Sequence, residues 1–209
     1  MLLNLYEIRK RHSKTASFPI QKKKKTTMTK NVLMRKEEFN KTLKRLSYEI
    51  IDKYNDDLDN LAIIGIRTRG EFLARRIHKN LIDIKQINIP IGILDVTFYR
   101  DDFRTNLGSP QVKSSEIMFS IDEKKIILVD DVLYTGRTIR AAMDEIFSFG
   151  RPLSIGLCVF SDRGHRELPI RPDFVGKNFP TSKTEYIYVH IDEVDDEDAI
   201  LLINYKKEK

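Results

Sequence analysis

Residues 126–138 read Ile-Ile-Leu-Val-Asp-Asp-Val-Leu-Tyr-Thr-Gly-Arg-Thr. Four apolar residues, Ile126 to Val129, run into two adjacent carboxylates, Asp130 and Asp131. Tyr134, Thr135, Gly136, Arg137 and Thr138 follow, and a helical pattern starts at once. Acids at a strand end can accept hydrogen bonds from a sugar diol. The N–H groups and hydroxyls of the turn can surround a phosphate at a helix N-terminus, where the helix dipole favours negative charge. The arrangement suits a phosphorylated sugar. Neither G-x-x-x-x-G-K-[ST] nor G-x-G-x-x-G occurs, which disfavours a nucleoside triphosphatase or a dinucleotide dehydrogenase.

Working outward, Lys125 to Val129 reads as a central strand, and the helix from Thr138 to Phe149 stops at Gly150 and Pro152. Before it, Phe39, Leu43, Leu46, Ile50 and Ile51 recur at helical spacing between Met34 and Tyr54. Leu61 to Ile66 is a short buried strand, Gly65 to Gly70 a turn, and Glu71 to Leu81 a helix. Ile87 to Tyr99 is β-like, and Arg100 to Lys113 reads as a long mobile loop. Leu153 to Phe160 is another buried strand, Ser161 to Lys183 an irregular segment, and Tyr186 to Ile191 a final strand. Strands alternating with helices predict an α/β fold with a mostly parallel sheet flanked by helices. Ligands of such sheets bind beyond the carboxyl ends of the strands, where every candidate segment lies.

The chain has 209 residues, 41% hydrophobic and 33% charged, enough for one α/β domain with a real core. The net charge of +6 is unevenly spread. Residues 1–30 hold nine Lys or Arg and one acid, while the remainder carries 28 basic and 30 acidic side chains. The basic character therefore belongs to an N-terminal stretch, with four consecutive lysines at Lys22 to Lys25. Residues 1–30 are expected to be a disordered basic extension, and 31–209 the domain. Three readings of the extension stay open: an idle tail, a stretch upstream of a true start at Met28, or a targeting or nucleic-acid arm. No apolar core of secretory-signal length follows the charges, whereas an organelle transit peptide stays compatible with the scarcity of acids. One cysteine, Cys158, sits among apolar neighbours and is expected to be a buried structural thiol. No apolar run approaches a membrane span, and a reducing, cytoplasmic setting fits best. The acids from Asp192 to Asp198 lack EF-hand spacing and read as a solvated loop or helix start.

The segment around Asp130 and Asp131 resembles the phosphoribosyl pyrophosphate motif of the type I phosphoribosyltransferases. The resemblance implies that these two aspartates bind the ribose hydroxyls and that Tyr134, Thr135, Gly136, Arg137 and Thr138 wrap the 5′-phosphate. A second turn, Ile66-Arg67-Thr68-Arg69-Gly70, holds two cations and a hydroxyl. By resemblance, Thr68 and Arg69 lie in the loop for the diphosphate leaving group. Arg100, at the base of the polar loop, is expected to close over that diphosphate. Together with Tyr99-Arg100-Asp101-Asp102 and Asp162-Arg163-Gly164-His165-Arg166-Glu167-Leu168-Pro169-Ile170-Arg171, the chain is similar to the PyrR family from about Leu33 to Asp198. These are pyrimidine operon regulators that double as uracil phosphoribosyltransferases. The resemblance implies a small hood, formed mainly by about 161–183, over the nucleobase. In the 6-oxopurine enzymes of this fold, a carboxylate directly precedes Thr-Gly. Tyr134 stands there in this chain, which argues against hypoxanthine or guanine.

The implied reaction joins uracil to phosphoribosyl pyrophosphate and gives UMP and pyrophosphate. Mg²⁺ would bridge diphosphate and ribose oxygens, with no protein metal ligand assigned. No side chain stands out as a general base. The resemblance also implies a regulator in which UMP or UTP promotes binding to a leader RNA hairpin of pyrimidine operons, favouring transcription attenuation. Candidate RNA contacts are Lys44 and Arg45 on the first helix, with Arg166, Arg171 and Lys177. Two narrower alternatives remain: an enzyme without RNA regulation, and a nucleotide-sensing RNA-binding regulator with little catalysis. No membrane partner is expected, and the family suggests a homodimer or homotetramer.

Overall fold

The computed structural model describes residues 26–96 and 114–207. The elements run β1 (Thr26–Arg35), α1 (Lys36–Tyr54), a 3₁₀ stretch (Asn55–Asn60), β2 (Leu61–Ile66), α2 (Arg69–Lys85) and β3 (Ile91–Leu94). They continue as β4 (Lys125–Leu133), α3 (Arg137–Phe149), β5 (Ser154–Asp162), β6 (Phe174–Asn178), β7 (Glu185–His190), α4 (Asp192–Asp195) and β8 (Ala199–Lys207). Five strands form a wholly parallel sheet in the order β3-β2-β4-β5-β6. A second, antiparallel sheet has the order β1-β8-β7.

Side-chain alternation along the central strands separates two cores. Ile127 and Val129 of β4 join Phe39, Leu43, Leu46 and Ile50 of α1 and Leu73 and Ile77 of α2 on one face. Ile126 and Leu128 join Ile139, Ala142 and Ile146 of α3 on the other. Covering both faces explains why β2 and β4 read as unbroken apolar runs. Cys158 is buried in the first core, and desolvation pushes its thiol up to about 12, as expected of a structural cysteine.

Four expectations need correction. The basic stretch was expected to lack a packed element as far as Lys30, yet β1 begins at Thr26. Thr29 and Lys30 pair with Asn204 and Ile203, so a partner strand at the other end of the chain supplies the order. That partner, β8, also means that β7 is not the final strand. The central strand runs on to Leu133, which puts both aspartates inside it. The segment 161–183, expected to be irregular, contributes β6 to the main sheet. A Cβ on Gly176 would run into the Phe160 carbonyl oxygen, so glycine there permits β6 to lie against β5. The smaller layer is built from β1, β7 and β8, with the stretches around β6 left as loops. Arg100 and the loop expected over 100–113 lie outside the described residues.

The Phe39 and Phe160 rings pack with centroids 4.1 Å apart and tie α1 to β5. Both rings are fully buried. Phe39→Ala is expected to lower unfolding free energy by about 3–5 kcal/mol in urea titration. A change under about 1 kcal/mol would contradict the assignment of this pair to the core.

Candidate active site

Parallel pairing of β2 with β4 aligns Gly65 with Val129, so the turns after both strands open at the same sheet edge. Gly70, in the first turn of α2, packs directly on β4 at Val129 and Asp130. A Cβ there would lie 2.7 Å from the Val129 carbonyl oxygen and 3.1 Å from Asp130 Cα. Glycine is thus required by close approach rather than by a turn angle. The Thr68 side chain is exposed at this lip.

Asp130 and Asp131 are 3% and 8% exposed. Asp130 Oδ1 accepts the Asp131 N–H at 2.9 Å, and Asp131 Oδ1 accepts the Val132 N–H at 2.9 Å. Each carboxylate is oriented by a backbone N–H that donates to it. Beyond them, Thr135 Oγ1 accepts the Arg137 N–H at 3.2 Å and Gly136 adopts a left-handed φ of +94°. The first N–H groups of a helix have no intrahelical partner, so the start of α3 offers donors to an anion.

The cations of the β2 turn are already engaged. The Arg67 guanidinium, 8% exposed, donates to Glu71 at 3.1 Å, to the Ser114 carbonyl at 2.7 Å and to Glu116 at 2.6 Å. It thereby fastens the turn to the chain that returns after residue 113. Arg69 makes a two-pronged pair with Asp195 of α4, at 3.0 and 2.6 Å. Burial opposes ionisation of Asp195, but bonds from Arg69 and the Ile191 N–H, with the Arg69 charge, outweigh it and hold the carboxyl below its ordinary range. Arg76 binds Glu193 and Asp198, so α2 is tied to α4 and to the chain entering β8.

The segment after β5 holds the turn after β4 from outside. The Arg163 N–H donates to the Leu133 carbonyl at 3.1 Å, and the Glu167 and Leu168 N–H groups donate to the Thr135 carbonyl at 2.9 and 3.1 Å. Arg137 pairs with Glu167 at 2.6 Å on the exposed side. Thr138 is partly exposed just inside α3.

The family described as phosphoribosyl transferase domain matches residues 31–193. Bifunctional protein PyrR of Listeria monocytogenes serotype 4b is 49% identical over 176 residues, covering 83% of this chain and 96% of that protein. Its counterparts from Enterococcus faecalis and Caldicellulosiruptor bescii are 51% and 47% identical over 78% and 84% of this chain, and 90% and 96% of those proteins. The chain belongs to the PyrR family of phosphoribosyltransferases. Among solved structures, the hypoxanthine phosphoribosyltransferase of Trypanosoma cruzi superposes with a TM-score of 0.64 at 18% identity, covering 84% of this chain and 97% of that one. The Staphylococcus aureus hypoxanthine enzyme gives 0.60 at 20%, covering 82% and 90%. At such identities the likeness shows the shared fold alone, that of the type I phosphoribosyltransferases.

Within the PyrR framework the expected RNA contacts divide. Lys44 and Arg171 are exposed. Lys177 on β6 is also exposed and pairs with Glu38 of α1 at 2.9 Å. Arg45 instead reaches Glu49 and the carbonyls of Val175 and Gly176, binding α1 to β6. Arg166 is partly exposed and donates to the Ile170 and Tyr134 carbonyls at 3.0 and 2.9 Å and to Asp162, so its guanidinium also ties the segment after β5 to the turn after β4. An open hollow of about 710 Å³ beside Tyr48 is lined by Glu49, Ile51, Asp52, Asn55, Asp56 and Lys85.

Asp162, Arg163 and Glu167 carry structural roles here that no motif in the sequence assigns. Their density of charge beside the hood was the available signal; their partners are remote in sequence. No group of three or more His, Cys, Asp or Glu among the described residues could hold a metal ion. No helix among them is long and apolar enough to cross a membrane.

Gly70→Ala is expected to weaken phosphoribosyl pyrophosphate binding at least about tenfold in calorimetric titration. Unchanged affinity would contradict the dependence of the β4 turn on this close approach. Because the Asp195 carboxyl titrates below its unfolded value, its stabilising effect is present above about pH 4 and lost as pH falls through the folded value. Thermal unfolding of Asp195→Asn should therefore differ from wild type at pH 7, and the gap should narrow below about pH 4. A gap independent of pH would contradict the ion pair.

Proposed function

We propose that this chain transfers a phosphoribosyl group to uracil, giving UMP and pyrophosphate, and acts as a uridine-nucleotide-dependent regulator that binds pyrimidine-operon leader RNA. The observation that supports the reaction best is the pairing of two buried, backbone-oriented carboxylates with a helix-start turn at one sheet edge. Asp130 and Asp131 accept the ribose hydroxyls, and the turn from Tyr134 to Thr138 surrounds the 5′-phosphate. The turn at Thr68, with Arg69, receives the diphosphate, and Arg100 closes over it.

The bond between uracil N1 and the anomeric carbon forms as that carbon's bond to the diphosphate oxygen breaks. The N1 proton is released, and no side chain is assigned to take it. Positive charge develops on the ribose ring and negative charge on the departing diphosphate. Most of the rate enhancement is then positioning and charge stabilisation. The hard oxygens of Asp130 and Asp131 suit Mg²⁺ that arrives with the diphosphate and keeps several waters. Bound there, Mg²⁺ would neutralise the leaving group.

Lys44, Arg45, Arg171 and Lys177 are exposed cations suited to RNA phosphates, with the partly exposed Arg166 beside them; Arg45 and Arg166 also tie neighbouring segments together through carbonyl oxygens. RNA hairpins are read through phosphates, 2′-hydroxyls and splayed loop bases. The relatives' designation as bifunctional favours keeping both activities. A cytoplasmic homodimer or homotetramer is the form in which we expect them.

The test is UMP formation from uracil with phosphoribosyl pyrophosphate and Mg²⁺, beside hypoxanthine, guanine and orotate. Uracil alone is expected to turn over. The double change Asp130→Asn/Asp131→Asn should reduce the rate by at least about a hundredfold, or ~2.7 kcal/mol of barrier. Turnover of hypoxanthine would contradict the substrate assignment. UMP or UTP binding without any turnover would leave the sensor reading in its place.

A further inference from the structure

We infer that Arg163 is a positioning residue for the nucleobase, holding the Tyr134 ring in the orientation that uracil meets. The inference rests on the reaction proposed above and adds a residue to its specificity.

Arg163 is 5% exposed. Among the described residues it makes no ion pair, although a buried guanidinium ordinarily has a carboxylate partner. Its surroundings are aromatic instead. The guanidinium carbon lies 4.2 Å from the Tyr134 ring centroid and 5.3 Å from that of Tyr186. Nε–H donates to Thr181 Oγ1 at 3.2 Å, and Nη2 donates to the Glu185 carbonyl. The Thr181 hydroxyl in turn donates to the Arg163 carbonyl at 3.3 Å. Burial lowers the guanidinium's affinity for its proton, yet arginine stays charged at any ordinary pH.

One cation thus joins three separate pieces of chain: the phosphate turn at Tyr134, the connection at Thr181 and β7 at Glu185 and Tyr186. A planar guanidinium over an aromatic face is attracted by the ring quadrupole and fixes the plane of that ring. His165 meets the same tyrosine edge-on, with centroids 5.9 Å apart and planes at 71°. With one face of Tyr134 under Arg163, a bound base can meet only the opposite face, an edge or the hydroxyl.

Tyr134 immediately precedes Thr135 and Gly136, and its ring meets Arg163 and His165 of the segment after β5. Arg163 lies behind the ring and acts through it. A merely structural arginine would affect base and diphosphate binding alike. An orienting arginine affects the base selectively.

The test is steady-state kinetics of the full chain with Mg²⁺, varying uracil and phosphoribosyl pyrophosphate separately, for Arg163→Met, Arg163→Lys, Tyr134→Leu and the double variant Arg163→Met/Tyr134→Leu. Arg163→Met is expected to raise KM for uracil about tenfold or more while KM for phosphoribosyl pyrophosphate stays within about twofold. Tyr134→Leu should match it, the double variant should be no worse than either single change, and Arg163→Lys should recover part of the loss. If Arg163→Met does not fold, Arg163→Lys against Tyr134→Leu reads the same split, because an ammonium lacks the planar stack. Equal rises in both KM values, or independent effects in the double variant, would overturn the inference. Wild-type protein without uracil turnover would count against the proposed reaction. Variants with an ordinary uracil KM would count against Arg163 alone.

Discussion

The parallel pairing of β2 with β4 is the constraint on which the site depends. It aligns Leu61 through Gly65 with Lys125 through Val129 and ends both strands at one edge. Two turns that are some sixty residues apart in sequence therefore share a lip. Gly70 makes the contact intimate, because its missing side chain lets α2 start against the Val129 carbonyl and Asp130. A substrate with a phosphate at one end and a diphosphate at the other needs both turns at a fixed separation. Parallel strands provide that separation through backbone hydrogen bonds, which side-chain motion cannot relax.

Around that lip, charge is used mainly to hold pieces of chain together. Arg67 secures the segment after residue 113, and Arg69 and Arg76 secure α4 and the small sheet. Arg166 secures the phosphate turn through carbonyl oxygens. The carboxylates at Asp195 and Glu193 stay ionised against their burial because arginine bonds outweigh desolvation. The turn after β2 is thus linked through Arg69 to α4, the short helix between β7 and β8.

The central strand and its carboxylates were legible because their information is local: an apolar run, two acids, a glycine turn and a helix start within thirteen residues. Both helices on the first core showed the period of their buried face. What stayed hidden depended on remote partners. The strand character of Thr26 to Lys30 comes from pairing with β8, and no local pattern announces it. Likewise β6 is only five residues long and is defined by its place beside β5. The bracing role of Arg166 stayed hidden because a sequence displays its charge but not the carbonyls it faces. Arg163 was invisible as a special residue for the same reason: its partners are two tyrosine rings from distant segments.

The most direct measurement of the central claim is a crystal structure with bound UMP. The account predicts the 5′-phosphate among the backbone N–H groups from Thr135 to Ile139, the ribose hydroxyls on Asp130 and Asp131, and the uracil ring against Tyr134. Phosphate bound at the Thr68 turn instead, or a ribose that leaves both aspartates untouched, would contradict it.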